Sequence, residues 1–120
     1  HAGGLRYHDM APLVSHIYEL GLVEAISIPQ TECFEGALQF ARAEGIVPAP
    51  EPTHAIAAAV REALACKESG EEKVILTALC GHGHLDLASY ETFLSGQMVD
   101  LDLPDSAIQE AMENVPKIEG

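Results

Sequence analysis

The densest group of chemically capable side chains is a run of seven residues, from Cys80 to Asp86. Its thiol, imidazole and carboxylate groups occupy alternate positions: Cys80, His82, His84 and Asp86. On an extended backbone all four would point to one side and could bind a metal ion. The spacing matches no established zinc signature, so a stand-alone metal-binding module is the weaker alternative. The other hypotheses are a loop whose glycines make room for a cofactor beside Cys80 and an ordinary turn between two elements.

A second candidate is Glu51, which stands among three prolines just before a predicted helix. A carboxylate at that position stabilises a helix N-terminus electrostatically. Alternatively, the rigid prolines fix Glu51 against a ligand. The residues alone leave both interpretations open, and the sequence contains no Ser-His-Asp order and no phosphate-binding loop.

Hydrophobic periodicity indicates the elements that must position these residues. Apolar side chains at helical spacing predict helices over residues 12–20, 31–44, 53–66 and 85–94, with a short one at 106–112. The continuously apolar residues 74–79 predict a strand buried on both faces, and residues 25–28 predict a second strand. Residues 46–52 hold three prolines, which predicts an extended connection.

Alternating strands and helices predict an α/β fold in which parallel strands are flanked by helices. Two strands are too few for a stable sheet, so we expect a fragment of a larger α/β domain.

Composition excludes several classes of protein. The chain has 120 residues, is 48% hydrophobic and carries a formal net charge of −13. Six scattered Lys and Arg residues are a poor match for nucleic acid, which is bound through clustered basic side chains. No apolar stretch approaches the roughly 20 residues that span a bilayer. Three cysteines form no paired framework, which predicts reduced thiols in the cytoplasm.

Three ordered motifs resemble the β chain of tryptophan synthase, in the variant called type 2. Residues 3–12 read G-G-L-R-Y-H-D-M-A-P, similar to that family's G-G-L-R-Y-H-G-M-A-P. Residues 44–55 resemble its E-G-I-x-P-A-x-E-x-x-H-A, and residues 79–86 its L-S-G-H-G-H-x-D. The resemblance covers residues 3–96. It implies that residues 1–96 are the C-terminal part of that family's catalytic domain, and it leaves residues 97–120 as an acidic, partly helical tail. It implies the C-terminal portion of a fold-type II lyase that uses pyridoxal 5′-phosphate (PLP) to join L-serine to indole by β-replacement, giving L-tryptophan.

The resemblance also implies roles for individual residues. Cys80 matches the serine that hydrogen-bonds the cofactor's pyridine nitrogen, Gly81 follows that contact, and Glu51 matches the glutamate beside the ring. Tyr7 and Asp9 match positions whose backbone carbonyls hold a monovalent cation. Cysteine in place of serine keeps open an alternative, a related PLP-dependent enzyme that eliminates water from serine or threonine.

The family's remaining machinery has no matching position in this sequence. The lysine that attaches the cofactor, the G-G-G-S-N loop that binds its phosphate and the glutamate that assists indole are all missing. We therefore assign no catalytic residue here and expect the chain alone to be inactive. The implied partners are the N-terminal part of the same chain, a second copy in a homodimer and an α subunit.

Overall fold

The computed structural model describes residues 2–6, 10–101, 104–113 and 115. Within these ranges the chain folds into five α-helices and two short 3-10 turns. The helices are α1 Pro12–Glu19, α2 Gln30–Glu44, α3 Pro50–Ser69, α4 Leu87–Leu94 and α5 Asp105–Glu113. The 3-10 turns are Gly3–Arg6 and Gly83–Leu85. No helix of the described ranges is both long and apolar enough to cross a membrane.

The helix boundaries follow from local chemistry. The third helix begins at Pro50, earlier than periodicity predicts, because proline has a suitable φ and needs no hydrogen-bond acceptor in the first turn. The predicted extended connection is therefore confined to the residues before Pro50. At the other helices the predicted and observed boundaries differ by three residues or fewer.

The core lies where α2 packs against α3 and α4. Its buried side chains are Phe34, Ala37, Tyr90 and Met98, and Leu38, Val47 and Phe93 pack around them. The Phe34 ring contacts the Tyr90 ring edge-on at 5.0 Å between centroids and stacks on Phe93 at 5.7 Å. Aromatic packing therefore joins α2 to α4. The proposed division of the chain at residue 96 stays a prediction.

The predicted α/β fold with parallel strands is wrong for the part of the chain that the structure describes. These residues form helices and no strand, and their β pairing is limited to one isolated antiparallel bridge, Pro48 to His82. The run 74–79 forms neither helix nor strand, and Val74 is 99% and Leu76 96% exposed. An apolar run becomes a buried strand only when a neighbouring strand satisfies its backbone and covers its faces, and no described residue provides one.

Candidate functional site

The isolated bridge brings the two central motifs together. Pro48 pairs with His82, and the Gly83 N–H donates to the Val47 carbonyl at 2.8 Å. The Cys80–Asp86 run therefore lies against the segment that leads directly into α3. This run and the segment before α3 lie more than thirty positions apart in sequence. Together they form one corner of the molecule, called here the Cys80 corner.

Two glycines allow this close approach. A Cβ on Gly83 would lie 2.5 Å from the Pro48 carbonyl oxygen and 2.7 Å from Val47 Cγ1, which no side chain could tolerate. Gly81 has a φ of 79°, and a Cβ there would lie 2.9 Å from the Ala49 Cβ. Glycine is required at position 83 by the close backbone contact and at position 81 by the left-handed conformation.

Helix α4 also holds the bridge in place, through the side chain of Tyr90. The buried Tyr90 hydroxyl donates to the Pro48 carbonyl at 2.5 Å. Burial, and to a smaller extent the nearby Asp86 carboxylate, raises the pKa of Tyr90 to about 12. The phenol therefore keeps its proton near neutral pH and remains a donor. Nothing in the sequence pairs Tyr90 with a residue 42 positions away, so sequence reasoning missed it.

Glu51 lies in the first turn of α3, where its backbone is held firmly. Its neighbours Pro50 and Pro52 are buried, and the Thr53 hydroxyl donates to the Pro50 carbonyl at 2.5 Å. His54 Nδ1 lies 3.2 Å from the carbonyl oxygens of Pro50 and of Glu51. Because carbonyl oxygens only accept, Nδ1 carries the proton that this contact needs.

The Glu51 carboxylate reaches back to the first 3-10 turn. The Gly4 N–H donates to Glu51 Oε1 at 2.8 Å. In the sequence, Gly4 stood out only as part of the motif at residues 3–12, and this contact could not be predicted. The Glu51 carboxylate thus stabilises the N-terminus of α3 electrostatically and accepts a hydrogen bond from a segment 47 residues earlier.

Curated relatives are similar to most of this chain. A tryptophan synthase β chain 2 from Aquifex aeolicus is 61% identical over 100 residues, which are 83% of this chain and 23% of that protein. The Methanosarcina acetivorans protein of the same name is 57% identical over 99 residues, 82% of this chain and 22% of that one. The chain belongs to the tryptophan synthase β-chain family.

The match to this family covers one segment of its members. The tryptophan synthase β chain 2 of Pyrococcus furiosus is 48% identical over 116 residues, 97% of this chain and 26% of that protein. The chain thus spans about a quarter of the length of the curated relatives it matches. No family model matches it.

The three cysteines of this β-chain segment differ sharply in accessibility. Cys33 is buried, Cys66 is half-buried and Cys80 is exposed, and all three are free thiols. Burial raises the pKa of Cys33 to about 11, which keeps that thiol protonated and unreactive. Of the three, Cys80 is the thiol that solvent, a reagent or a ligand reaches most easily.

The metal-binding alternative finds no support in the described residues. The extended backbone that it requires is interrupted by the 3-10 turn Gly83–Leu85. His82 Nδ1 accepts from the His84 N–H at 3.3 Å, and the two imidazole rings lie 4.0 Å apart edge to face. Across the described ranges, no group of three or more His, Cys, Asp or Glu side chains could hold a metal ion.

The two residues predicted to bind a cation lie outside the described part of the chain. Tyr7 and Asp9 are not among the described residues, so the predicted site at their carbonyls stays a prediction. The structure brings the Cys80–Gly81 turn next to Ala49, two residues before Glu51.

Proposed function

We propose that this chain is one part of a PLP-dependent tryptophan synthase β chain, which as a whole joins L-serine to indole to give L-tryptophan. The observation that carries the proposal is the Pro48–His82 bridge, which sets the Cys80–Gly81 turn beside the start of α3. The high identity to β chains supports the reaction class. The chain would supply one wall of the cofactor site.

The residues at this corner fit the ring end of PLP. The Cys80 thiol is exposed, and a neutral thiol is a weak hydrogen-bonding partner for a pyridine nitrogen. Such a partner leaves the nitrogen largely unprotonated. The half-buried Glu51 carboxylate stands at the adjacent helix start. When bound, PLP supplies an electron sink for the bonds broken at the α-carbon of the amino acid.

The phosphate end of the cofactor must be bound elsewhere. The 120 residues contain no glycine-rich phosphate loop and no lysine in a motif that attaches the cofactor. The described residues would therefore orient the ring, while the attachment and the phosphate contacts come from other residues of the full-length protein. The chain by itself would be inactive.

The same proposal extends to partners and place of action. Tyr7 and Asp9 would offer backbone carbonyls to a monovalent cation. The N-terminal part of the same protein would cover this corner, two copies would form a homodimer, and an α subunit would be a further partner. The enzyme would act in the cytoplasm, in tryptophan biosynthesis.

The test is a reaction of the full-length protein with PLP, L-serine and indole, followed by mass spectrometry. We expect L-tryptophan that disappears when indole is omitted. Cys80→Ser, which restores the family's usual residue, should retain synthesis, and Cys66→Ser is the matched control. Pyruvate without tryptophan would support the elimination alternative suggested by Cys80. If no product formed and no visible cofactor absorbance appeared, the proposal would be wrong.

A further inference from the structure

We propose that Gly4 is a positioning residue, whose N–H orients the Glu51 carboxylate toward the cofactor ring. This inference rests on the proposed function, since it concerns how Glu51 would meet PLP. It goes further because it gives a purpose to the packing of the first 3-10 turn, Gly3–Arg6, against α3.

The contact is specific to the backbone at Gly4. Its N–H donates to Glu51 Oε1 at 2.8 Å, while the next amide, of Leu5, bonds within the turn to the Ala2 carbonyl at 3.2 Å. A hydrogen bond to a carboxylate is stronger than one between neutral groups. The Gly4–Glu51 bond therefore ties the turn to α3.

The absence of a side chain at residue 4 matters as well. A Cβ on Gly4 would lie 3.1 Å from both Cγ and Oε1 of Glu51, so any side chain would displace the carboxylate by a few tenths of an ångström. A Cβ on the neighbouring Gly3 would meet nothing within 4 Å. The two adjacent glycines thus form a natural pair of test site and control.

Glu51 needs such a contact because only its backbone is otherwise fixed. The buried prolines on either side and the His54 ring hold the main chain. The side chain retains several rotatable bonds, and an unrestrained glutamate samples several rotamers. Binding Oε1 to Gly4 selects one arrangement and leaves the second oxygen as the atom that can face a ligand.

The first measurement tests the hydrogen bond without any cofactor. In the full-length protein without PLP, hydrogen–deuterium exchange is followed at the Gly4 amide. Glu51→Ala should speed that exchange about tenfold, since a bond to a charged acceptor is lost. Glu51→Gln keeps a carbonyl acceptor and should preserve most of the protection. Unchanged exchange in Glu51→Ala would overturn the inference.

The second measurement tests the positioning of the cofactor. PLP is titrated into the full-length protein and its affinity is read from the visible absorbance, including the position of the band. Gly4→Ala should weaken binding several-fold and shift the band, whereas Gly3→Ala should stay within about twofold of wild type. Equal effects of the two alanines would contradict a positioning role.

The two measurements separate failure of this inference from failure of the proposed function. If the wild-type protein bound no PLP, the proposed function and the role of Gly4 toward the ring would both be wrong, although exchange would still report the bond. If Gly4→Ala failed to fold, the Glu51→Ala and Glu51→Gln pair would decide the question. Normal PLP binding with unprotected Gly4 would defeat the inference alone.

Discussion

At the scale of single residues, Gly83 is the described glycine at which an added Cβ would make the closest contact. Any Cβ there would overlap the Pro48 carbonyl and Val47. Gly83→Ala should therefore break the bridge and destabilise the chain by about 1–3 kcal/mol, the usual cost of overpacking a tight site. Urea unfolding followed by circular dichroism measures this. Gly3→Ala should be nearly neutral, and equal stabilities of the two variants would show that the bridge is dispensable.

The hydroxyl of Tyr90 is the second residue-scale constraint. Tyr90→Phe keeps the ring in the core but leaves the buried Pro48 carbonyl without its donor. Such a loss costs about 1–3 kcal/mol. Thermal unfolding should show a lower Tm for this variant. The matched control is Tyr18→Phe, because Tyr18 is 58% exposed, and a similar Tm for both variants would argue against the Tyr90–Pro48 bond.

The sequence suggested three candidate site residues but not the contacts made by two others. Cys80, Gly81 and Glu51 became candidates because the motifs around them imply a role for each, and those roles stay predictions. The motif that contains Gly4 implies no role for that glycine. Gly4 and Tyr90 act through single contacts 47 and 42 residues away in sequence. Periodicity and composition carry no information about which distant atom a donor will meet.

At the scale of elements, the start of α2 depends on a residue far from it in sequence. Pro29 provides no side-chain cap, and the Asp100 carboxylate takes that place. The Thr31 N–H donates to Asp100 Oδ1 at 3.0 Å, and the Thr31 hydroxyl donates to Oδ2. These hydrogen bonds lower the pKa of Asp100 below its ordinary value of 3.8. The cap favours the charged carboxylate at a helix N-terminus.

The direction of that pKa change predicts a pH dependence. Because the pKa is lower in the folded state, Asp100 stabilises the fold above pH 3.8 and loses this contribution as the pH falls through the lowered value. Asp100→Asn should lower the Tm at pH 7, and the difference from wild type should shrink in acid below pH 3.8. The control is Glu91→Gln, which removes the same charge from the exposed surface of α4. A constant difference at every pH would contradict the cap.

The helices could be predicted from sequence and the strands could not, for one physical reason. Helix hydrogen bonds are local, so spacing and end signals near Pro12 and Pro50 are sufficient to place α1 and α3. A strand must pair with a second strand, and the sequence does not show which segment that would be. The apolar run 74–79 has the composition of a buried strand, yet no described residue pairs with it.

At the scale of the whole molecule, the chain is loosely arranged. Its radius of gyration is 16.9 Å, whereas a compact domain of this length has about 14 Å. Large apolar side chains are exposed, including Leu13, Val74 and Leu76. Exposed apolar surface on this scale is typical of a segment that contacts other protein. This agrees with a chain that spans about a quarter of its relatives' length.

The exposed run 74–79 predicts self-association of the isolated chain. Leu76 lies within that run and is 96% exposed, whereas Leu85 is 97% exposed outside it. Leu76→Lys should therefore reduce the associated fraction measured by sedimentation velocity, and Leu85→Lys should have a smaller effect. A wild-type chain that is monomeric at all concentrations would contradict this prediction.

The central claim is that the Cys80 corner faces PLP in the full-length enzyme, and thiol labelling tests it most directly. The full-length protein is treated with iodoacetamide with and without PLP, and alkylation of each cysteine is followed by mass spectrometry. We expect PLP to slow alkylation of Cys80 at least several-fold, while the rate at half-buried Cys66 stays unchanged. Equal alkylation of Cys80 with and without bound PLP would contradict the account.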